Sequence, residues 1–284
     1  MRTLLVKMLQ LTVFMQSVGI FLYSRSSGPF IDYLVMEHGF TYEQAFSFEN
    51  IFAWSTLLVG AAVLLYPATL LLLASACLTF LLAYITVAQG GSAFSSWTLT
   101  AHAARYTAPL VLLLFRHGPE SKPTLLTCQW LVVVALSLTF ATHGLEALAR
   151  HPDFTDYIIS SGANLAGIKI SQSAAETLLA GIGIMDIFCA LAILSFTNPY
   201  ILCWMACWGL ITGFARVTEL GPAMYGEVII RAAHFVLPLV ALLLFKLRHT
   251  AAATAAKPGR QKPPSPVTGN LSQQNFYSCQ GFPD

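Results

Sequence analysis

Charge is what this sequence has least of. Lysine and arginine number 15 and aspartate and glutamate 13, so one residue in ten is charged over 284 residues, and the net charge is +2. Soluble domains hold about a quarter charged residues. With 56% hydrophobic residues and a mean hydropathy of +0.67, the chain carries more apolar sequence than a soluble core can absorb. The class is therefore an all-α polytopic membrane protein whose first partner is the lipid bilayer. The few basic residues are scattered and do not form a stripe, which excludes nucleic acid as a partner.

Paired cysteines are missing too. Cys77, Cys128, Cys189, Cys203, Cys207 and Cys279 form no CxxC. Cys203 and Cys207 sit four apart in an apolar run, where they pack as small hydrophobes, and no His or Cys follows at the spacing of a zinc site. No metal is expected. Walker A, GxSxG, HExxH and usable GxGxxG motifs are also absent, which removes the usual nucleotide, hydrolase and metalloprotease readings.

What is present is a series of long apolar runs. A span needs about 20 residues to cross the hydrocarbon. Eight candidates meet or approach this: 3–23, 47–66, 68–88, 99–116, 124–149, 173–195, 199–217 and 226–247. Pro67 and Pro199 separate neighbouring spans at tight breaks. Lys7 and Gln10 interrupt the first run, and no small-x-small cleavage site follows it, so it reads as a retained span. Residues 249–284 are rich in Pro, Ala and Gln without apolar periodicity, which reads as a disordered tail.

With eight spans, both termini share one side with the 116–123 loop. That side holds Arg2, Lys7, Arg116, Lys122, Lys246, Arg248, Lys257, Arg260 and Lys262, nine against Arg25, Arg150 and Lys169 on the other. The positive-inside rule then places both termini in the cytoplasm. The membrane is expected to be a bacterial inner membrane.

An echo runs through the chain. "TAHAARYTAPLV" from Thr100 and "IIRAAHFVLPLV" from Ile229 both read basic, Ala, Ala, basic, aromatic, two spacers, Pro-Leu-Val. His102 answers Arg231, and Arg105 answers His234, 129 residues apart. At similar offsets Phe30-Ile31-Asp32-Tyr33 matches Phe154-Thr155-Asp156-Tyr157, Gly19 matches Gly144, Glu49 matches Glu176, and Cys77 matches Cys207. The expectation is two parallel four-helix repeats, 1–117 and 124–248, with an even number of spans pointing both copies the same way.

Placed on this topology, nearly every acidic residue falls toward the outer face, Asp186 being a mid-membrane exception. Ionisable groups in a bilayer face the bundle interior or water and pair with one another. The candidate ligand-binding residues are His102, Arg105, Arg231, His234, Glu49, Glu176 and His143, around an outward-facing polar pocket. The same charges could equally be salt bridges that tie the halves together. Pro109 and Pro238 each lie four residues after a basic residue, so the carbonyls of Arg105 and His234 lose their helical amide partners. His and Arg in this setting suit a quinone carbonyl, a small oxyanion such as one of sulfur, or a lipid phosphate. Two histidines on facing helices could also ligate a haem. The segments "GPFIDYLV" and "HPDFTDYII" read as short amphipathic surface helices that anchor at the interface or cap the pocket.

"FATHGLEAL" (Phe140–Leu148) followed by "HPDFTDYI" resembles the bacterial DoxX-like membrane proteins, most clearly over 124–248. The resemblance implies a tandem duplication of a four-helix unit. It also implies a redox-associated membrane component that binds a quinone or a small oxyanion and works with a soluble or membrane partner subunit. Glu146 stands where that family usually has a basic residue after the first-helix glycine. The alternatives from the residues are a carrier or lipid-binding protein, and a non-catalytic scaffold.

Overall fold

A computed structural model describes residues 1–91, 93–118 and 121–256. Among these residues there are helices and no strands. The elements are α1 (Arg2–Ser27), α2 (Pro29–His38), α3 (Tyr42–Leu65), α4 (Thr69–Gln89), a 3-10 turn (Ser95–Trp97), α5 (Thr98–Ala101), α6 (Ala103–His117), α7 (Lys122–Leu148), α8 (Pro152–Ala166), α9 (Gln172–Ser195), α10 (Pro199–Leu220), a second 3-10 turn (Pro222–Met224), α11 (Tyr225–Ile229) and α12 (Ala232–Ala256). Long, short, long, long, 3-10, short and proline-bearing helices follow in that order twice.

Seven helical segments are long and apolar enough to cross a membrane. This makes the protein a membrane-embedded helical bundle. The expected eighth span, 99–116, is divided: the chain turns at His102, leaving α5 with 4 residues and α6 with 15. The region 222–250 has the same break, a turn at Ile230 and Arg231, but its apolar run is longer. The helix of α12 continues to Ala256, so the first residues of the expected tail are helical; the rest of 249–284 lies outside the described residues.

Local signals set the ends. Thr41 and Gln44 form a reciprocal capping box at the start of α3. Ser171 and Asn198 accept backbone N–H groups at the starts of α9 and α10. Gly28 ends α1 at φ 55°, a left-handed conformation natural to glycine, and Pro29 begins α2 at once.

The core runs along the bundle axis. Leu5, Leu9 and Val13 of α1, Leu112 of α6, Leu136 of α7 and Leu237 of α12 are among its fully buried members. In lipid, helices associate by close packing of small residues rather than by the hydrophobic effect. Gly144 and Gly183 meet this need where α7 crosses α9: a Cβ on either would stand under 3.0 Å from the other's carbonyl oxygen. Gly60 of α3 receives Ser17 of α1 in the same way. Gly19 instead packs against the backbone of Ile229 and Ile230, so the sequence-matched pair Gly19 and Gly144 has different neighbours.

The halves interlock. α1 packs on α3 and α7 on α9, while α4 packs on α6 and α10 on α12. Between halves, α1 lies against α11 and α12, and α7 lies against α5 and α6. Each half's first long helix thus rests on the other half's last segments.

Candidate functional site

A cavity of about 470 Å³ lies among α7, α8, α9, α10 and the α11–α12 region. Its walls are mainly apolar, with Phe140, Ile158, Leu179, Ile182 and Ile211 among them. α8 forms one side: Phe154, Tyr157, Ile158, Ser161, Gly162 and Leu165 recur at helical spacing along it. This short helix therefore walls the cavity. α10 contributes a second stripe, with Trp208, Thr212 and Arg216 at i, i+4 and i+8.

The polar end is built on α10 and the α11–α12 break. Arg231, in the break itself, forms an ion pair with Glu227 one turn earlier, and its Nη1 also donates to the Glu227 carbonyl. Arg216 approaches the same carboxylate at 3.9 Å, donates to the Thr212 carbonyl at 2.8 Å, and lies 4.8 Å over the Tyr157 ring. Tyr157 belongs to α8, outside the spanning helices, and burial raises its phenol above the ordinary value, so it faces Arg216 as a neutral ring. Arg105 is buried within electrostatic range of Arg231 and Arg216. Two guanidinium groups thus hold Glu227, and Arg105 lies within electrostatic reach of it without forming an ion pair. Among the described residues no second carboxylate comes within ion-pair distance of any of them.

Of the seven residues expected from sequence, Arg231, His234 and His143 line the cavity. The His143 and His234 rings stand 5.8 Å apart, and His143 Nδ1 bonds Glu146 Oε2 at 2.8 Å. His234 Nε2 meets the Ala101 carbonyl at 3.4 Å, linking α12 to α5, while its Nδ1 has no partner. Arg105 and His102 lie behind this wall and do not border the cavity. His102 occupies the α5–α6 break as Arg231 occupies the α11–α12 break. In both breaks the basic residue's carbonyl accepts the N–H three residues on, from Arg105 at 2.9 Å and from His234 at 2.8 Å.

Glu49 and Glu176 stand elsewhere. Glu49 Oε2 accepts the Phe30 N–H at 2.7 Å, serving as the carboxylate cap of α2, whose own preceding residue is glycine. Glu176 pairs with the exposed Arg150 at 3.1 Å and with Gln172 at 3.0 Å. It lies about one turn nearer the start of its helix than Glu49 does, so equal spacing in sequence did not give equal place.

The sequence reading passed over Arg216, Glu227, Asp186, Trp208 and Tyr157 as site residues. The signal for two of them, Trp208 and Arg216, was periodic: with Thr212 between them they stand four apart on one face of an apolar helix. Among the described residues no cluster of His, Cys, Asp and Glu is arranged to hold a metal. No protein-family model matches the chain, and no curated protein or solved structure does.

Proposed function

We propose that this protein is a membrane-embedded binding protein for a small, partly apolar ligand that carries an oxyanion. The carrying observation is the charge balance at the head of the cavity. Arg216 and Arg231 face it with Arg105 close behind, and among the described residues Glu227 is the one carboxylate within ion-pair distance of Arg216 and Arg231, while Asp153 and Glu219 act on Arg216 only from further off. Uncompensated charge in a low-dielectric interior is costly unless a counter-ion completes the set. An anionic head group does so, and the apolar walls take its body.

The repeated element order, the exchange of first helices between halves and the matching breaks at His102 and Arg231 support a tandem duplication of a four-span unit. In that reading the α5–α6 segment counts as the eighth span, both termini are cytoplasmic, and the cavity faces outward. The second reading, a DoxX-like redox component that binds a quinone, is favoured by His143 and His234, adjacent on the cavity wall.

The test is the extract of protein purified in mild detergent, analysed by mass spectrometry beside its absorption spectrum. A stoichiometric amphipathic acid, lost from Arg216→Gln and Arg231→Gln, is expected. A stoichiometric quinone selects the redox reading. Bulk lipid alone, identical in the wild type and both variants, overturns the proposal.

A further inference from the structure

The cavity has a polar foot as well as a polar head. Asp186, on α9, is 6% exposed and borders the cavity, and its Oδ1 has no hydrogen-bond partner. Trp208, on α10, borders the cavity beside it. The two side chains interact, yet the indole Nε1 completes no hydrogen bond. The indole is stacked on Trp204, with ring centroids 5.8 Å apart and planes 9° from parallel, which fixes its orientation. The Asp186 carboxylate and the Trp208 N–H thus stand close together on adjoining walls without a completed hydrogen bond between them.

Buried polar groups left in this state cost free energy that a partner recovers. Thr212, between foot and head on the same stripe, asks for nothing, because its hydroxyl donates to the Trp208 and Gly209 carbonyls. The rest of the wall is mainly apolar. From Trp208 to Arg216 the stripe advances eight residues, ~12 Å at the rise of an α-helix.

A hydroxyl group is the complement of this foot, since it accepts one hydrogen bond and donates another at a single oxygen. We infer that the ligand is a two-ended amphiphile: an acid whose anionic group sits at Arg216 and Arg231, and whose apolar body carries a hydroxyl to Asp186 and Trp208. This rests on the anion-binding reading of the cavity and adds to it a second, independent determinant of specificity.

The probes are decanoate and ω-hydroxydecanoate, titrated calorimetrically into the purified full chain in phosphatidylcholine nanodiscs. Partition alone favours decanoate, because its terminal methyl is the more apolar end, so a preference for the hydroxy acid has to come from the foot. The wild type is expected to prefer ω-hydroxydecanoate by about tenfold, the effect of one well-made buried hydrogen bond. Trp208→Phe keeps an aromatic ring and removes the N–H; it should abolish the preference, so that ω-hydroxydecanoate loses about tenfold more affinity than decanoate. Asp186→Asn, which keeps an acceptor at the same place, should retain most of the preference. Equal affinity of the wild type for both acids, with both weakened by Arg216→Gln, overturns the foot and leaves the anion site standing; Asp186 and Trp208 then satisfy each other or are satisfied by water. Equal loss of both acids in Trp208→Phe also overturns it, since the ring is then only packing. Binding of neither acid to the wild type overturns both readings.

Discussion

The side-chain amide of Gln16 donates at 3.1 Å to the carbonyl of Arg105, the acceptor that Pro109 deprives of its helical N–H. α1 of the first half thereby repairs the backbone of α6 and pins it beside the buried guanidinium groups. Gln16→Leu should leave that carbonyl unpaired and lower stability by about 1–3 kcal/mol. Pro109→Ala restores an amide at the right place. The double variant should therefore recover much of the loss, and thermal unfolding of the four proteins in one detergent completes the cycle. Strict additivity would show that the two residues do not share the carbonyl.

Pro238 creates the same vacancy at His234, and there the structure packs a glycine against the carbonyl. Gly209 of α10 lies so close that a Cβ there would stand 2.9 Å from the His234 carbonyl oxygen. Gly209→Ala has to push α10 from α12 at the cavity wall. A loss of about 1–3 kcal/mol is expected, as for other overpacked cores. Decanoate affinity should fall with it. Unchanged melting would mean that the helices separate there at no cost.

Glu227 holds two arginines and competes with any anionic ligand for them. Glu227→Gln should destabilise the empty protein, because removing one member of a buried ion pair strands the other. The same change should tighten the binding of decanoate several-fold. The melting temperature of the variant should therefore rise more steeply with added decanoate than that of the wild type, since ligand binding to the folded state stabilises by mass action. A variant that melts like the wild type at every ligand concentration would place the anion elsewhere.

Glu49, in contrast, serves α2. Glu49→Ala removes the carboxylate from the Phe30 amide and should cost about 1 kcal/mol, within the range for lost N-caps. Hydrogen exchange should quicken over Pro29–His38 and stay unchanged over α8 and α10. Loss of decanoate binding in this variant would return Glu49 to the site.

Much of the architecture was legible in the sequence because hydropathy is a sum over many residues. The runs 173–195 and 68–88 became α9 and α4 within one residue at each end. Pro109 and Pro238 announced two freed carbonyls; Gln16 bonds one of them and Gly209 packs on the other. The division of the run 99–116 was harder to see, because a single turn at His102 leaves mean hydropathy untouched. Glu49 and Glu176 show the limit of counting along the chain: one turn of displacement sends one carboxylate to cap a buried helix end and the other to a surface arginine. Arg216 and Asp186 were visible as isolated charges, but their convergence on one cavity depends on how α9 and α10 are rotated, which neither helix encodes alone.

The crossing of α1 onto α11 and α12, and of α7 onto α5 and α6, governs how this protein can be made. When the ribosome has delivered residues 1–117, Gly19 faces a surface whose matching backbone at Ile229 and Ile230 has yet to be synthesised. The early half must wait in the bilayer with a seam open. Its folding is completed from the far end of the chain, by the last helices to arrive, and a chain cut between the halves needs both pieces in one membrane to close that seam.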